Sequence, residues 1–175
     1  MMILKRNVSR KSGGEMSINS GKVVRSSSRI SVEEIARRAV PQIAVFGVGG
    51  AGCNIVSWIK RKKVSGARIY ALNSDAQHLS ITEADERLLI GYEITGGLGC
   101  GGYPEQGAKA AEESSKEIEM LIDGSGLVFI TAGLGGGTGT GASPVIAKIS
   151  KEIGALTVGV VTTPFQVERG EAYKG

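Results

Sequence analysis

Six of the nine residues from Gly133 to Gly141 (GLGGGTGTG) are glycine. An apolar run, Leu127-Val128-Phe129-Ile130, precedes them, and a helical pattern, Val145-Ile146-Ala147-Lys148-Ile149, follows. The order is strand, glycine loop, helix. So much glycine gives up side-chain burial and costs chain entropy on folding. A fold tolerates that cost where its backbone must approach something closely. Backbone N–H groups at a helix start, aided by the helix dipole, favour an anion such as phosphate. Thr138 and Thr140 add hydroxyls within reach of such an anion. A flexible connector needs no such regularity between a buried strand and a helix.

The rest of the chain repeats the pattern. Gln42 to Gly47 (QIAVFG) reads as a buried strand. It runs into GVGGAGCN, Gly47 to Asn54, and a helix over Ile55 to Lys63 in which Ile55, Trp58 and Ile59 are apolar, with Trp58 read as a packing residue rather than a ligand stacker. Arg68 to Asn73 is a second strand, ending in NSDAQHL, and Arg87 to Gly91 a third. TGGLGCGGYPEQG, Thr95 to Gly107, leads through Pro104 into a helix reaching about Ile122. A helix from Ala142 to Ile153 and a fifth strand, Ala155 to Val161, complete the series. Such alternation implies right-handed crossovers and an α/β fold: a three-layer, Rossmann-like parallel sheet with helices on both faces. Ligands of such sheets bind at the carboxyl ends of the strands, where the glycine loops gather.

Charge divides the chain. Residues 1–40 carry nine Lys and Arg against three Asp and Glu, a net of +6, and residues 41–175 carry −2. Residues 1–30 read as a disordered basic tail, with an arm for nucleic acid or acidic lipid as the functional alternative. Ser31 and Glu34 form a capping box opening a short helix over 31–40, before a domain over 41–175. The net charge of +4 therefore says nothing about the domain's ligand, and no nucleic-acid partner is expected. No apolar run approaches the ~18 residues of a membrane span, and no secretory signal is visible. Cys53 and Cys100 are too few for a disulfide framework or a zinc site and read as free thiols. His78, the only histidine, reads as a surface or helix-turn residue, with no metal site to join.

Gly47-Val48-Gly49-Gly50-Ala51-Gly52 fits G-x-G-x-x-G between a strand and a helix, the dinucleotide fingerprint. An NAD-binding Rossmann-type enzyme is thus one reading, with Asp75 slightly late as the ribose acid. Against it stand three glycine loops at helix starts, Gly49–Gly52, Gly96–Gly102 and Gly135–Gly141. Three convergent loops suit a triphosphate better than one pyrophosphate. No G-x-x-x-x-G-K-[ST] occurs, which excludes a P-loop NTPase.

GGGTGTG, Gly135 to Gly141, closely resembles the nucleotide-binding signature of the tubulin/FtsZ family, in its FtsZ form. The resemblance covers about Gln42 to Glu168. It implies GTP or GDP, with Mg2+, as the ligand, and assigns contacts residue by residue. Gly49, Gly50, Ala51, Gly52, Cys53 and Asn54 match the family's first phosphate loop. Asn73 and Asp75 match its NTDAQ-like loop. Gly99, Gly101 and Gly102 fall in its GLGAGANPE loop, where Tyr103 replaces the usual asparagine. Gly135, Gly136, Gly137, Thr138 and Gly139 belong to the signature itself. Thr163 and Pro164 match the ribose loop, and Glu168 the ribose-binding acid. Beyond Glu168 the family's E-G-x-x-R is not kept, since Ala172 stands where the arginine is expected.

The resemblance further implies a cytoplasmic cytoskeletal GTPase that polymerises head-to-tail at the site of prokaryotic cell division. Its implied partners are copies of itself, longer FtsZ-like subunits and membrane-tethering division proteins. The family's central helix and its acidic N-x-D-x-x-D loop, which completes hydrolysis across the subunit interface, have no counterpart in these residues. The expectation is a truncated GTP-binding half with no catalytic residue of its own and little hydrolysis alone. A non-catalytic nucleotide-binding, filament-capping module is the other alternative. Without the central helix, an apolar patch is expected on the fifth strand.

Overall fold

The computed structural model describes residues 42–164. The basic tail, the helix expected over 31–40 and Glu168 lie outside the described residues. Strands β1 (Gln42–Val48), β2 (Ala67–Asn73), β3 (Glu86–Leu89), β4 (Ser125–Gly133) and β5 (Leu156–Thr162) form one sheet in the order β3-β2-β1-β4-β5. Every pairing is parallel. The helices are α1 (Gly49–Arg61), α2 (Ala76–Ser80), α3 (Tyr92–Thr95), α4 (Pro104–Glu113), α5 (Ser115–Ile122) and α6 (Gly137–Ile153).

Strand alternation sorts the core into two layers. Ala44, Phe46 and Val48 of β1, with Val128, Ile130 and Ala132 of β4, meet Ile118, Ile122 and Ile146 of α5 and α6. The Phe46 and Tyr70 rings stack there with centroids 4.7 Å apart. On the opposite face Cys53 and Val56 of α1 pack with Ile69, Ala71 and Leu79. Fully burying one such large side chain stabilises by roughly 1.5–3 kcal/mol. Asp85, whose carboxylate takes the Ile69 N–H at 2.9 Å and pairs with Lys60, ties the segment before β3 to β2. The Lys60 bond, then the Ile69 N–H, holds its carboxyl below the usual range.

The chain runs outward from β1 to β2 and β3, then returns to β4 on the other side of β1. The connections after β1 and β4 therefore diverge, and a crevice opens at the carboxyl ends of these neighbouring strands.

The helices depart from the sequence expectation in four ways. First, α1 and α6 begin inside the glycine loops rather than at Ile55 and Ala142, so glycines form their first turns. Close packing is the cause: a Cβ on Gly52 would strike the Thr131 carbonyl, and one on Gly139 would come 2.7 Å from the Gly133 oxygen. Second, the long helix expected up to Ile122 breaks at Ser114 (φ −95°, ψ 21°). The Ser114 hydroxyl there accepts the Gly91 N–H at 3.2 Å. Third, α2 and α3 were not anticipated; Asp75 caps α2 by accepting the His78 N–H at 3.0 Å. Fourth, Trp58 is not a core residue. The buried stripe of α1 is Gly49, Gly52, Cys53, Val56 and Ser57, and Trp58 lies off it, 60% exposed beneath the Lys62 ammonium.

Strand β5 pairs with β4 alone among the described strands, and its side chains are open. Leu156 (67%) and Val160 (54%) lie on the α1 face, and Val161 (46%) on the other. An apolar edge strand of this kind invites association. Val160→Lys should lower the concentration-dependent light scattering of the purified chain while leaving its helical circular dichroism unchanged. Equal scattering by both proteins would show that this face is not adhesive.

Candidate functional site

A cleft of about 590 Å3 lies at the carboxyl ends of β1, β4 and β5. Its walls are Gly50 and Ala51 at the start of α1, Gly136 to Gly139 at the start of α6, and Thr162 to Pro164 after β5. Two helix starts meet at its floor. Gly49 has φ +70°, a left-handed conformation open to glycine, and a Cβ there would lie 2.8 Å from the Gly139 nitrogen. The turns therefore touch backbone to backbone, which any side chain at either position would prevent.

Neither α1 nor α6 has a side-chain cap, and neither carries an acidic residue in its first turn. The first N–H groups of each helix have no partner within their own helix. Two convergent helix dipoles add positive potential at the same place. Short helix α2, outside the cleft, is by contrast capped by Asp75. A cleft walled by free N–H donors and small residues, with no acid among its described lining, is suited to a polyanion that the backbone contacts directly.

The threonine hydroxyls are occupied within the protein. Thr138 Oγ1 lies 2.7 Å from the fully buried Ser74 hydroxyl, which in turn lies 3.2 Å from Cys100 Sγ. Thr140 Oγ1 accepts the Gly135 N–H at 2.9 Å, so it shapes the loop. The N–H groups, more than the hydroxyls, are what the loop offers to a ligand.

Of the residues singled out in the sequence, Gly50, Ala51, Gly136, Gly137, Thr138, Gly139, Thr163 and Pro164 line the cleft. Gly49 and Gly52 are buried beneath it as packing contacts, and Cys53 lies in the core. Gly135 (φ +107°) lies against the Pro164 ring. The third glycine loop is not part of the lining: Gly99, Gly101 and Gly102 stand beside it, and Cys100 and Tyr103 press on Gly137. That loop opens α4, whose first turn holds Glu105, so its helix start is less suited to an anion. Asp75 is engaged in capping α2. Asn73 is buried, and Asn54 borders a neighbouring groove. Among the described residues, no group of three His, Cys, Asp or Glu side chains could hold a metal.

Sequence reasoning missed Ser74 and His78. His78 is half-buried and touches both Asn54 and Asn73. The available signal was its place at the third position after the α2 cap, which turns a side chain back over the preceding strand end.

Fold and cleft together define a Rossmann-like α/β domain with two uncapped helix starts paired at the carboxyl edge of its sheet. A family model described as "Tubulin/FtsZ family, GTPase domain" matches residues 42–174. The chain belongs to the tubulin/FtsZ family. It is 46% identical over 168 residues to Cell division protein FtsZ 1 of Pyrococcus horikoshii, covering 96% of this chain and 45% of that one. It is 53% identical over 135 residues to Cell division protein FtsZ 1 of Methanocaldococcus jannaschii, covering 77% and 37%. The empty FtsZ dimer of M. jannaschii superposes with a TM-score of 0.74 at 52% identity, over 78% of this chain and 40% of that chain. The chain thus spans less than half the length of the curated relatives it matches.

Cys53 provides a test of the packing beneath the site. Burial pushes its thiol up from 9.0 to about 11, with Thr82 acting weakly in the opposite direction. The unfolded thiol ionises first as pH rises, so the folded state then holds a proton that the unfolded state has lost. Stability from the neutral buried thiol is complete below about pH 9 and is lost towards pH 11, by roughly 2–3 kcal/mol. Denaturant melts of the wild type should weaken over that window more than those of Cys53→Ala. Parallel pH profiles for the two proteins would contradict this account.

Proposed function

We propose that this chain binds a guanine nucleotide and represents the GTP-binding half of an FtsZ-like cytoskeletal GTPase. The observation that carries the reading is the contact between two uncapped helix starts free of acidic residues, with Gly49 against Gly139. In this reading, N–H groups of Gly50, Ala51 and Gly136 to Gly139 bind the phosphates, with Gly52 packed beneath them. The third loop, leaning on Gly137 through Cys100 and Tyr103, closes around the terminal phosphate. Thr163 and Pro164 face the ribose, with Glu168 following. Asn54 and Asn73 belong to the nucleoside end. The phosphates and water would supply most ligands of an accompanying Mg2+.

Hydrolysis needs a group that orients water at the γ-phosphate, besides donors that stabilise the transition state. Among the described residues, the cleft lining supplies donors and no carboxylate. In this reading the orienting acid comes from outside the described lining, in keeping with head-to-tail assembly of such subunits. The relatives named as cell division proteins, and an FtsZ of M. jannaschii solved as a dimer, support that extension. Assembly into protofilaments, action at the division site in the cytoplasm and tethering through membrane-associated division proteins belong to the same proposal.

Denaturing the purified chain and identifying what it releases is the first experiment. GDP or GTP supports the reading, whereas NAD or FAD would sink it. Thr138→Ala, which removes the 2.7 Å link to Ser74, should weaken GTP binding about two- to tenfold, the value of one net hydrogen bond. Unchanged affinity in a titration would show that the Thr138–Ser74 link does not brace the loop for binding.

Turnover forms a separate test. Phosphate release per subunit should stay low and flat as the concentration of this chain rises, and should increase when a full-length FtsZ is added. Co-sedimentation with that FtsZ without any gain in turnover would favour a filament-capping role. Concentration-dependent hydrolysis by the chain alone would contradict the requirement for an outside carboxylate.

A further inference from the structure

We infer that His78 is a positioning residue for the candidate site, fixing which face of the Asn54 amide is turned to the ligand. The inference rests on the nucleotide-binding reading above and adds a residue to it. It follows from a hydrogen-bond chain whose direction is set at one end. The backbone N–H of Asp75 can only donate, and it meets Asn73 Oδ1 at 3.3 Å. The other side of that amide, Asn73 Nδ2, is thereby the group that faces His78 Nδ1, at 3.3 Å. An amide N–H donates, so Nδ1 accepts and carries no proton. The neutral ring then bears its proton on Nε2, which lies 3.0 Å from Asn54 Oδ1. Asn54 Oδ1 is occupied as an acceptor, and Asn54 Nδ2 is left free to donate to an acceptor atom of the ligand.

The surroundings hold the ring in that position. Asn73 is 2% exposed, so one end of the chain is anchored in the core. The His78 N–H is bound by the Asp75 carboxylate, and its carbonyl accepts the Thr82 hydroxyl at 2.8 Å. The ring lies against Gly50, where a Cβ would come within 3.3 Å of Cε1 and Nδ1. Gly50 and Asn54 are one turn apart on α1, so the ring spans from the cleft wall to the amide it orients. Fixing a polar side chain before binding spares the ligand the cost of ordering it.

Three measurements test the inference. Nitrogen NMR of the histidine-labelled wild type without nucleotide, at mildly alkaline pH, should find the ring protonated at Nε2; protonation at Nδ1 overturns the chain. Guanine nucleotide titrations should then separate the variants. His78→Phe should bind about fivefold more weakly, the loss of one net hydrogen bond. His78→Gln, with an amide donor at the position of Nε2, should stay within about twofold of the wild type. His78→Asn reaches Asn73 but not Asn54 and should be as weak as the Phe variant. In an Asn54→Ala background, His78→Phe should have no further effect; an equal loss in both backgrounds overturns the positioning role. A wild type that binds no guanine nucleotide overturns the functional reading, and with it the ligand-facing role of Asn54, whichever tautomer is found.

Discussion

The described domain depends on backbone meeting backbone without side chains between. Gly49 rests on Gly139, Gly52 on the Thr131 carbonyl, Gly107 on the Gly137 carbonyl and Gly141 on Pro104. Each contact joins an element from one layer or crossover to the start of another. Through the first two, α1 and α6 are drawn together above the switch point of the sheet. Through the last two, α4 lies directly against α6, which brings the third glycine loop beside the second. A methyl group at these positions would separate elements whose proximity makes the cleft. The glycines cost chain entropy, and the apolar packing of Phe46, Ile130 and Ile146 beneath them supplies the compensating stability.

The same close approach sets the electrostatics. Helix starts without caps are costly when nothing satisfies their N–H groups. Here two of them share one wall, and the nearest hydroxyls, Thr138 and Thr140, bond to Ser74 and Gly135. Those hydroxyls brace the loop from behind. The unsatisfied donors are thus concentrated on the open side, where a phosphate chain could meet several of them at once. Affinity in such a site arises from preorganised backbone, so side-chain chemistry within the cleft lining is sparse.

Much of this was legible in the chain. The strand–loop–helix repeats located the parallel sheet, and GGGTGTG and GVGGAGCN located the two loops that meet. The helix boundaries were not legible, because glycine weakens the local helical signal that tertiary packing overrides. The division of labour among the three loops was also hidden. Pro104 already put Glu105 in the first turn of α4, but only the folded chain reveals that the other two helices start within their glycine loops and carry no acid there. Trp58 was misjudged because apolar character alone does not say which stripe of α1 faces the sheet. His78 and Ser74 were missed since their partners lie 24 and 64 residues away, at Asn54 and Thr138.

The exposed strand and the cleft are not independent. The Leu134 N–H donates to the Thr162 carbonyl at 2.8 Å, tying the glycine loop to the end of β5. The Pro164 ring occupies the space beside Gly135. One wall of the cleft is therefore an extension of the edge strand that carries the open Leu156, Val158 and Val160. Edge strands with few packed neighbours open at lower free energy than central ones. Whatever packs on β5 also restrains Thr162 to Pro164, and a ligand that contacts Thr163 or Pro164 restrains β5 in return. Linkage makes the two effects equal in free energy. Covering the strand and filling the cleft are thus coupled through seven residues of backbone.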